Sequence, residues 1–379
     1  MRVPRTLSLY AIREALQYAA IGLLAVGAVL LTQNLLRELN DLAGLGFVAA
    51  DVVAVISCLL AMLAAYAIPV AFLFGVLVAV GRMSSDSEVV AMRALGVSLG
   101  QFVTPFLLLA VFFSATTAVL LYDVEPAARR RLRAVLSDIA SRGGIIEPGR
   151  FNKLDRQGVR LLFVEDRGEG NALSGVLISD RTDPAKPFTV VAESGRFEFD
   201  KESATAHLTL QNGDVHFDLA DASASRYQRI AFREFDYAFD MSAILGAGFH
   251  RIRPREMSTA DIRGVLSYFD ANGEPPPVVR VRTRERYEIQ LHRRLALPLA
   301  PLLFAIVGVP LGLRRARGAR SAGVLVCVVL VFGYYALLSL GVYMAEKRIV
   351  TAGVGLWFPN AVFALIGAAL LARARRAES

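Results

Sequence analysis

The sequence predicts a membrane protein of mixed α and β class: six transmembrane helices in two sets of three, with a strand-rich domain inserted between the sets. Three observations carry this. Apolar windows of about 20 residues, long enough to cross roughly 30 Å of hydrocarbon as helix, occur near 15–36, 53–80, 98–122, 295–313, 321–344 and 353–372. Between the third and fourth windows the pattern changes to period-two alternation broken by Gly, Pro, Asn and Asp, the mark of short strands. Finally, arginines gather on one side of the six-span scheme.

The first window is too long, and too poorly flanked by small residues, for a cleaved signal peptide, so it reads as a true span. Arg2, Arg5 and Arg13 precede it, Arg82 and Arg93 follow the second, Arg314, Arg315, Arg317 and Arg320 follow the fourth, and Arg373, Arg375 and Arg376 follow the sixth. The positive-inside rule makes that side cytoplasmic, with both termini on it. Topology therefore accounts for much of the +8 charge of these 379 residues and for a pI near 9.7. Nucleic-acid binding would need a basic stripe on a soluble domain, and none is evident. Cys58 and Cys327 fall inside spans and read as buried apolar residues rather than a disulfide or metal pair.

"GRMSSDSEVVAMRALG" (81–96) is a polar interruption between two apolar runs. Ser85 and Glu88 have S-x-x-E spacing, which predicts a capping box, and Gly96 predicts a left-handed stop. Val89, Met92 and Leu95 form an apolar stripe, with Asp86, Glu88 and Arg93 as the charged groups. Two readings fit: a helical turn lying on the membrane surface, or an amphipathic helix that docks in a groove of a cytosolic partner. Pro69, Pro298, Pro301 and Pro310 lie within spans, where they either kink moving helices or are simply tolerated.

From about 124 to 285 the chain lies outside the cytoplasm. Expected strands are 158–165, 173–180, 188–193, 195–200, 204–211, 214–219 and 227–239. "LTLQNGDVHF" predicts a hairpin turning at Asn212-Gly213, with residue 210 facing 215 and 208 facing 217. Leu208, Leu210, Val215 and Phe217 then share one face, and His207, Thr209, Asp214 and His216 the other, where the histidines read as surface residues. Seven or so such strands suggest a sandwich or jelly roll, filled either by a side-chain core or by an apolar groove that takes a lipid chain. "MSTADIRGVLSYF" (257–269) predicts a helix capped by Ser258 or Thr259, with Ile262, Val265, Leu266 and Phe269 as its apolar stripe. Arg293 and Arg294 sit at the outer interface, either snorkelling beside Glu288 or meeting an anionic lipid headgroup.

No catalytic pattern is present: there is no G-x-x-x-x-G-K-[ST], H-E-x-x-H or G-x-S-x-G, and no paired intramembrane carboxylate. The chain is not expected to be an enzyme or to hold a cofactor, and any ATP chemistry must come from another chain. A membrane-tethered sensor of an envelope ligand is the competing reading, but a sensor has little need of the 81–96 helix.

These residues resemble the lipopolysaccharide-export permeases LptF and LptG. The resemblance rests on "IPVAFLFGVLVAVGRMSSDSEVVAMRALGVS" (68–98), "YEIQLHRRLALPLAPLLFAIVGVPLG" (287–312), "GLWFPN" (355–360) and the three-span, β-domain, three-span layout; "QNLLREL" and "GRFN" lean toward LptF over an LptG-type paralogue. It implies a permease subunit of an ABC exporter in the bacterial inner membrane, paired with an LptG-like permease above an LptB-like ATPase dimer that uses the ATP. It implies a periplasmic β-jellyroll that joins LptC-like and LptA-like bridge proteins, and gates for lipopolysaccharide formed by the first span of one permease and the fifth of the other. Residues 84–96 would be the coupling helix, with Ser85, Asp86, Glu88, Val89, Met92, Arg93 and Leu95 at the ATPase contact and Glu88 pairing with a basic residue. Arg37 matches a basic position that would either contact the lipid phosphates or anchor the helix; Asn34 stands where relatives can carry lysine, and Arg294 completes the expected substrate contacts. The expected organisation is 1–123 for spans one to three, 124–250 for the jellyroll, 251–286 for a periplasmic helix and linker, and 287–379 for spans four to six.

Overall fold

The computed structural model describes residues 5–42, 49–141, 146–154, 159–168, 171–183, 186–200, 205–221, 224–240, 252–276, 279, 281, 283–313 and 322–376. Contacts divide the chain into two compact units, Met1–Asn34 with Leu59–Arg129 and Arg253–Ser379 in one, Leu35–Cys58 with Arg130–Ile252 in the other.

In the first unit the helices are α1 (Arg5–Leu42), α2 (Ala49–Ser85), α3 (Glu88–Ala94), α4 (Leu99–Val119), α5 (Glu125–Ser141), α6 (Thr259–Asn272), α7 (Arg284–Ala296), α8 (Ala300–Leu313), α9 (Ala322–Glu346) and α10 (Ala352–Arg376), some of which extend into the second unit. Among the described residues six stretches are long and apolar enough to cross a membrane: Thr6–Asn34, Ala50–Ser85, Leu99–Ile139, Arg284–Leu313, Gly323–Glu346 and Ala352–Ala374. They coincide with the six expected windows. The third is longer than expected, because α5 continues α4 through a π turn at Leu120–Val124. Pro126 has no N–H to return to the carbonyl of Tyr122 and its ring crowds that carbonyl, which fits the widened turn just before it. The strand expectation for 124 onward is thus corrected over α5, where Ala128, Leu132 and Ile139 are buried at helical spacing.

A backbone carbonyl freed inside an apolar helix bundle needs a new partner, and "GLWFPN" shows how one is supplied. At the 3₁₀ turn Leu297–Leu299, between α7 and α8, the Ala300 amide donates to Leu297 O, three residues back rather than four. This releases the carbonyl of Ala296, which accepts instead from Asn360 Nδ2 at 3.0 Å; Asn360 Oδ1 accepts from Tyr334 OH at 2.8 Å. The Tyr334 ring closes a cluster with Phe304 and Phe363 at centroid distances of 5.2 and 5.3 Å. Where α9 crosses α10 the backbones touch: a methyl group added at Gly341 would lie 2.0 Å from Gly355 O. Helix α6 begins with a capping box, Ser258 Oγ accepting from the Asp261 amide and Asp261 from the Ser258 amide, and ends at Gly273 with φ +73°. The expected stripe is its packed face, Ile262, Val265 and Phe269 being buried with Leu266 against them.

The second unit holds one antiparallel sheet in chain order: β1 (Phe151–Lys153), β2 (Arg160–Arg167), β3 (Ala172–Asp180), β4 (Phe188–Asp200), β5 (Thr205–Asp221) and β6 (Ala224–Asp240). The expected strands 188–193 and 195–200 are one strand, and so are 204–211 and 214–219. The hairpin at Asn212-Gly213 is corrected. Leu210 pairs with Gly195 and Phe235, and Val215 with Val190 and Ile230, so β5 runs straight through. Asn212 instead takes φ +53° inside the strand, and Gly213 leaves room for the Phe232 ring, 2.6 Å from where a methyl would stand.

That kink belongs to a row. The ladders skip Glu165 opposite Gly175, Gly175 opposite Glu193, Glu193 opposite Asn212, and Asn212 opposite Arg233, without changing register. Gly175 has φ +58°. Across this row the buried face changes parity: Leu173 then Val176 and Ile178 in β3, Val190 and Ala192 then Phe197 in β4, Leu208 and Leu210 then Val215 in β5. The row is a crease, and each strand restarts its alternation there so that apolar residues stay on the same side. Leu208, Leu210, Val215 and Phe217 therefore share a face as expected, through a crease and not a turn.

The sheet folds over along the crease. The register carries Asp180 through Phe188 and Phe217 to Gln228. Tyr237 lies nine residues farther along β6, about 30 Å away on a flat sheet at about 3.3 Å per residue. Yet Tyr237 OH donates to Asp180 Oδ2 at 2.7 Å, and its ring lies 6.3 Å from that of Phe188. The two layers of the expected jellyroll are the two halves of one folded sheet, and side chains such as Leu162, Val164, Ile178, Val190, Leu208 and Phe197 fill the space between them. Asp180 also accepts from the Thr182 amide and hydroxyl at 2.9 and 2.6 Å and sits 3.2 Å from Arg160 Nε. Burial pushes its carboxyl up, but the bonds from Thr182 and Tyr237 and the charge of Arg160 prevail and hold it below the usual carboxylate value.

Two outcomes follow. Asn360→Ala leaves the Ala296 carbonyl and the Tyr334 hydroxyl unpaired in an apolar bundle, and should cost about 1–3 kcal/mol, read as a lower melting temperature in detergent. For Asp180 the folded-state value is the lower one, so its stabilisation is complete above the unfolded value near 4 and is lost as pH falls through the folded value. Melting should therefore drop below about pH 4 in the wild type. Asp180→Asn should melt lower already at pH 6 and lose less on acidification.

Candidate functional site

The 81–96 segment is the corner between α2 and α4. Helix α2 does not stop before Ser85: the Ser85 hydroxyl donates to Arg82 O at 2.8 Å inside its last turn. The expected Ser85–Glu88 capping box is therefore corrected. Ser87, with φ +59° and no side-chain cap, opens α3 at Glu88. The same S-x-x-[EQ] signal is satisfied one element later, where Ser98 Oγ accepts from the Gln101 amide at 3.3 Å and Gln101 Oε1 from the Ser98 amide at 3.0 Å to start α4. The coupling helix expected over 84–96 is the seven-residue α3 with a turn on either side.

Gly96 behaves as predicted. With φ +84° it closes a Schellman motif, its amide donating to Arg93 O at 2.9 Å and that of Val97 to Met92 O at 3.1 Å. The stripe needs one change. Val89 is buried and Met92 packs on the bundle core, but Leu95 is 85% exposed, and Val90 points outward with it at 66%. Val89, Met92 and Val97 line a small cleft with Ser84, Phe102 and Leu313, and the Ser84 hydroxyl donates to Leu313 O at 3.2 Å, fixing the end of α2 to that of α8. The outer surface of α3 is thus apolar at Val90 and Leu95, beside the exposed Arg93.

The charged groups are held from α1. Tyr10 OH donates to both carboxylate oxygens of Glu88, at 3.1 and 3.0 Å. Arg82 Nη1 donates to both oxygens of Glu14 at 2.9 Å, while its Nε lies 3.4 Å from Asp86 Oδ2. The sequence pattern did not single out Tyr10 and Glu14. Their only signal was a tyrosine and a glutamate one turn apart on an apolar helix, where polar groups need partners.

The three expected substrate residues are not gathered here. Asn34 Nδ2 donates to Leu30 O of its own helix at 2.8 Å. Arg37 lies on α1, with its side chain outside the described residues. Arg294 is fully buried, and its guanidinium donates to Thr259 Oγ1 at 2.9 Å and Met257 O at 2.6 Å, tying α7 to the start of α6. Snorkelling beside Glu288 is corrected too, since Glu288 accepts from Arg284 at 2.8 Å. Arg293 instead lies over the Tyr66 ring at 5.2 Å, 3.6 Å from the buried Glu125, which Arg129 also holds at 2.7 Å. This buried charge cluster has no signal in the apolar windows, because Glu125 and Arg129 lie beyond the third of them, in the stretch whose pattern predicts strands.

The sequence matches the family model of the lipopolysaccharide export system permease LptF/LptG over residues 9–373. It is 24% identical over 330 residues to the lipopolysaccharide export system permease protein LptF of Escherichia coli K12, covering 85% of this chain and 82% of that protein, and the same figures hold for the LptF of Shigella flexneri. With six apolar spans, an inserted antiparallel β domain and a match over nearly its whole length, the chain belongs to the LptF/LptG family of lipopolysaccharide-export permeases.

Proposed function

We propose that this permease subunit couples lipopolysaccharide export to ATP hydrolysis by a separate cytosolic ATPase dimer of the LptB kind, which docks on α3. The observation that carries the reading is a seven-residue helix seated on the bundle by Val89 and Met92 while Val90 and Leu95 stand bare beside Arg93. A helix presented in this way fits a hydrophobic groove, and its charges set the docking orientation. Glu88 then faces a basic residue of the ATPase. The arginine distribution supports a cytosolic position for this corner and both termini, and a periplasmic one for the β domain. There the β domain hands lipid to LptC-like and LptA-like bridge proteins, and an LptG-like permease completes the membrane part. Arg37 meets the lipid phosphates near the outer end of the first span, while Asn34, bonded to its own helix, adds less.

Introducing a charge at each bare apolar position tests the docking. Val90→Asp with Leu95→Asp should reduce co-purified ATPase at least about ten-fold, since burying one such side chain is worth roughly 1.5–3 kcal/mol, while the permease itself keeps its yield and melting temperature. Undiminished recovery of ATPase, with undiminished stimulation of its hydrolysis, would remove the reading.

A further inference from the structure

Helix α1 is the least buried of the six spans: 17% of its apolar window is covered, against 61% for α2. Among the described residues its attachment is concentrated near one end. Ala11, Ala15 and Ala19 recur every four residues and are all buried. They lie against α2 so closely that a methyl group at Gly75 would stand 2.4 Å from Ala15 O and 2.8 Å from Ala19 Cβ. Such small-residue seams bring two backbones into direct contact. Farther along, Ile21, Leu24 and Val29 are exposed.

At the seam's end stand two side-chain ties, one turn apart on α1. Tyr10 holds Glu88, the first residue of α3, and Glu14 holds Arg82, in the last turn of α2. The corner that carries α3 is therefore fastened to a helix some 70 residues earlier in the chain, and not only to the spans that flank it. We propose that α1 and the α2–α3 corner move as one body, with Tyr10 and Glu14 as the positioning residues that carry a displacement of α3 into α1. This rests on α3 being the docking element. A carboxylate offers about four lone-pair directions, so Glu88 can keep Tyr10 while accepting from a cation of the docked ATPase, and a pull on Glu88 reaches α1 directly. The lever is long. From Ala15, the middle of the seam, to Asn34 is roughly 28 Å of helix at 1.5 Å per residue, so a tilt of about 5° there moves the far end by roughly 2.5 Å.

The test uses the whole export complex in proteoliposomes, with Cys58→Ala, Cys327→Ala and spin labels at Leu24→Cys and Val328→Cys, both at exposed positions. Tyr10→Phe with Glu14→Gln removes one hydroxyl and one charge. It should leave ATPase recovery and hydrolysis within about two-fold, while lipopolysaccharide released per ATP falls at least about five-fold and the nucleotide-dependent change in label distance shrinks. The exchange of Glu14→Arg with Arg82→Glu should restore both readouts relative to Glu14→Arg alone. Wild-type distance change and lipid yield per ATP in the Tyr10→Phe, Glu14→Gln protein would overturn the proposal, as would an exchange that restores neither. Failure of docking itself reads differently, as undiminished ATPase recovery in the Val90→Asp, Leu95→Asp protein.

Discussion

The rest of the structure depends on one constraint: a polar group inside the apolar bundle must find a partner in the protein, because hydrocarbon offers none. The constraint is met locally where it can be. Thr104, Thr116 and Thr117 return their hydroxyls to carbonyls four residues back in α4. Where the helix itself is irregular, the partner comes from elsewhere. The 3₁₀ turn between α7 and α8 frees the Ala296 carbonyl, and Asn360 on α10 reaches across to take it. The same rule explains why Arg294, fully enclosed, is spent on Thr259 and Met257, and so fastens α6 to α7. Polar residues in this bundle act as joints between helices.

The β domain meets a different form of the same problem. A six-strand sheet with one apolar face must cover that face, and among the described residues no helix lies between the strands to do it. Folding the sheet along Glu165, Gly175, Glu193, Asn212 and Arg233 lets one half cover the other. A fold of that kind would turn half the apolar side chains outward unless the alternation restarted at the crease. Positive φ at Gly175 and Asn212 provides the restart, and the bond between Tyr237 and Asp180 pins one half to the other.

Much of this was legible in the sequence, and the failures share a cause. Six spans, the Gly96 stop, the α6 cap at Ser258 and its apolar face all follow from local composition and spacing, and local signals decide them. The Ser85–Glu88 box and the Asn212-Gly213 hairpin were local signals too, each with the right residues. At the first, α2 gains more by continuing through Ser85 than a cap would give. At the second, pairing of β5 along its length with both β4 and β6 outweighs a two-residue turn that would end both ladders. Leu95 failed for a further reason. The three-residue spacing of Val89, Met92 and Leu95 describes a helix longer than α3, whose regular turns end at Ala94, so Leu95 leaves the stripe. The ties from Tyr10 and Glu14 had no sequence signal beyond their polarity, since separations of 78 and 68 residues are set by packing alone.

The brevity of α3 bears on how force could pass through it. Seven residues are too few to be helical unaided, because nucleation costs more than so few bonds return. Its geometry is therefore imposed from outside: by the Schellman closure at Gly96, by Val89 and Met92 on the bundle, and by the hydroxyl of Tyr10 on Glu88. An element with so little stability of its own cannot absorb a push by bending while its ends stay in place, since little holds it together except the contacts it would have to break. Displacing α3 means displacing what it is attached to. Those attachments lead to α2 and α4 through the chain, to α8 through the joint between Ser84 and Leu313, and to α1 through Tyr10, so a force applied to these seven residues would be shared by four helices.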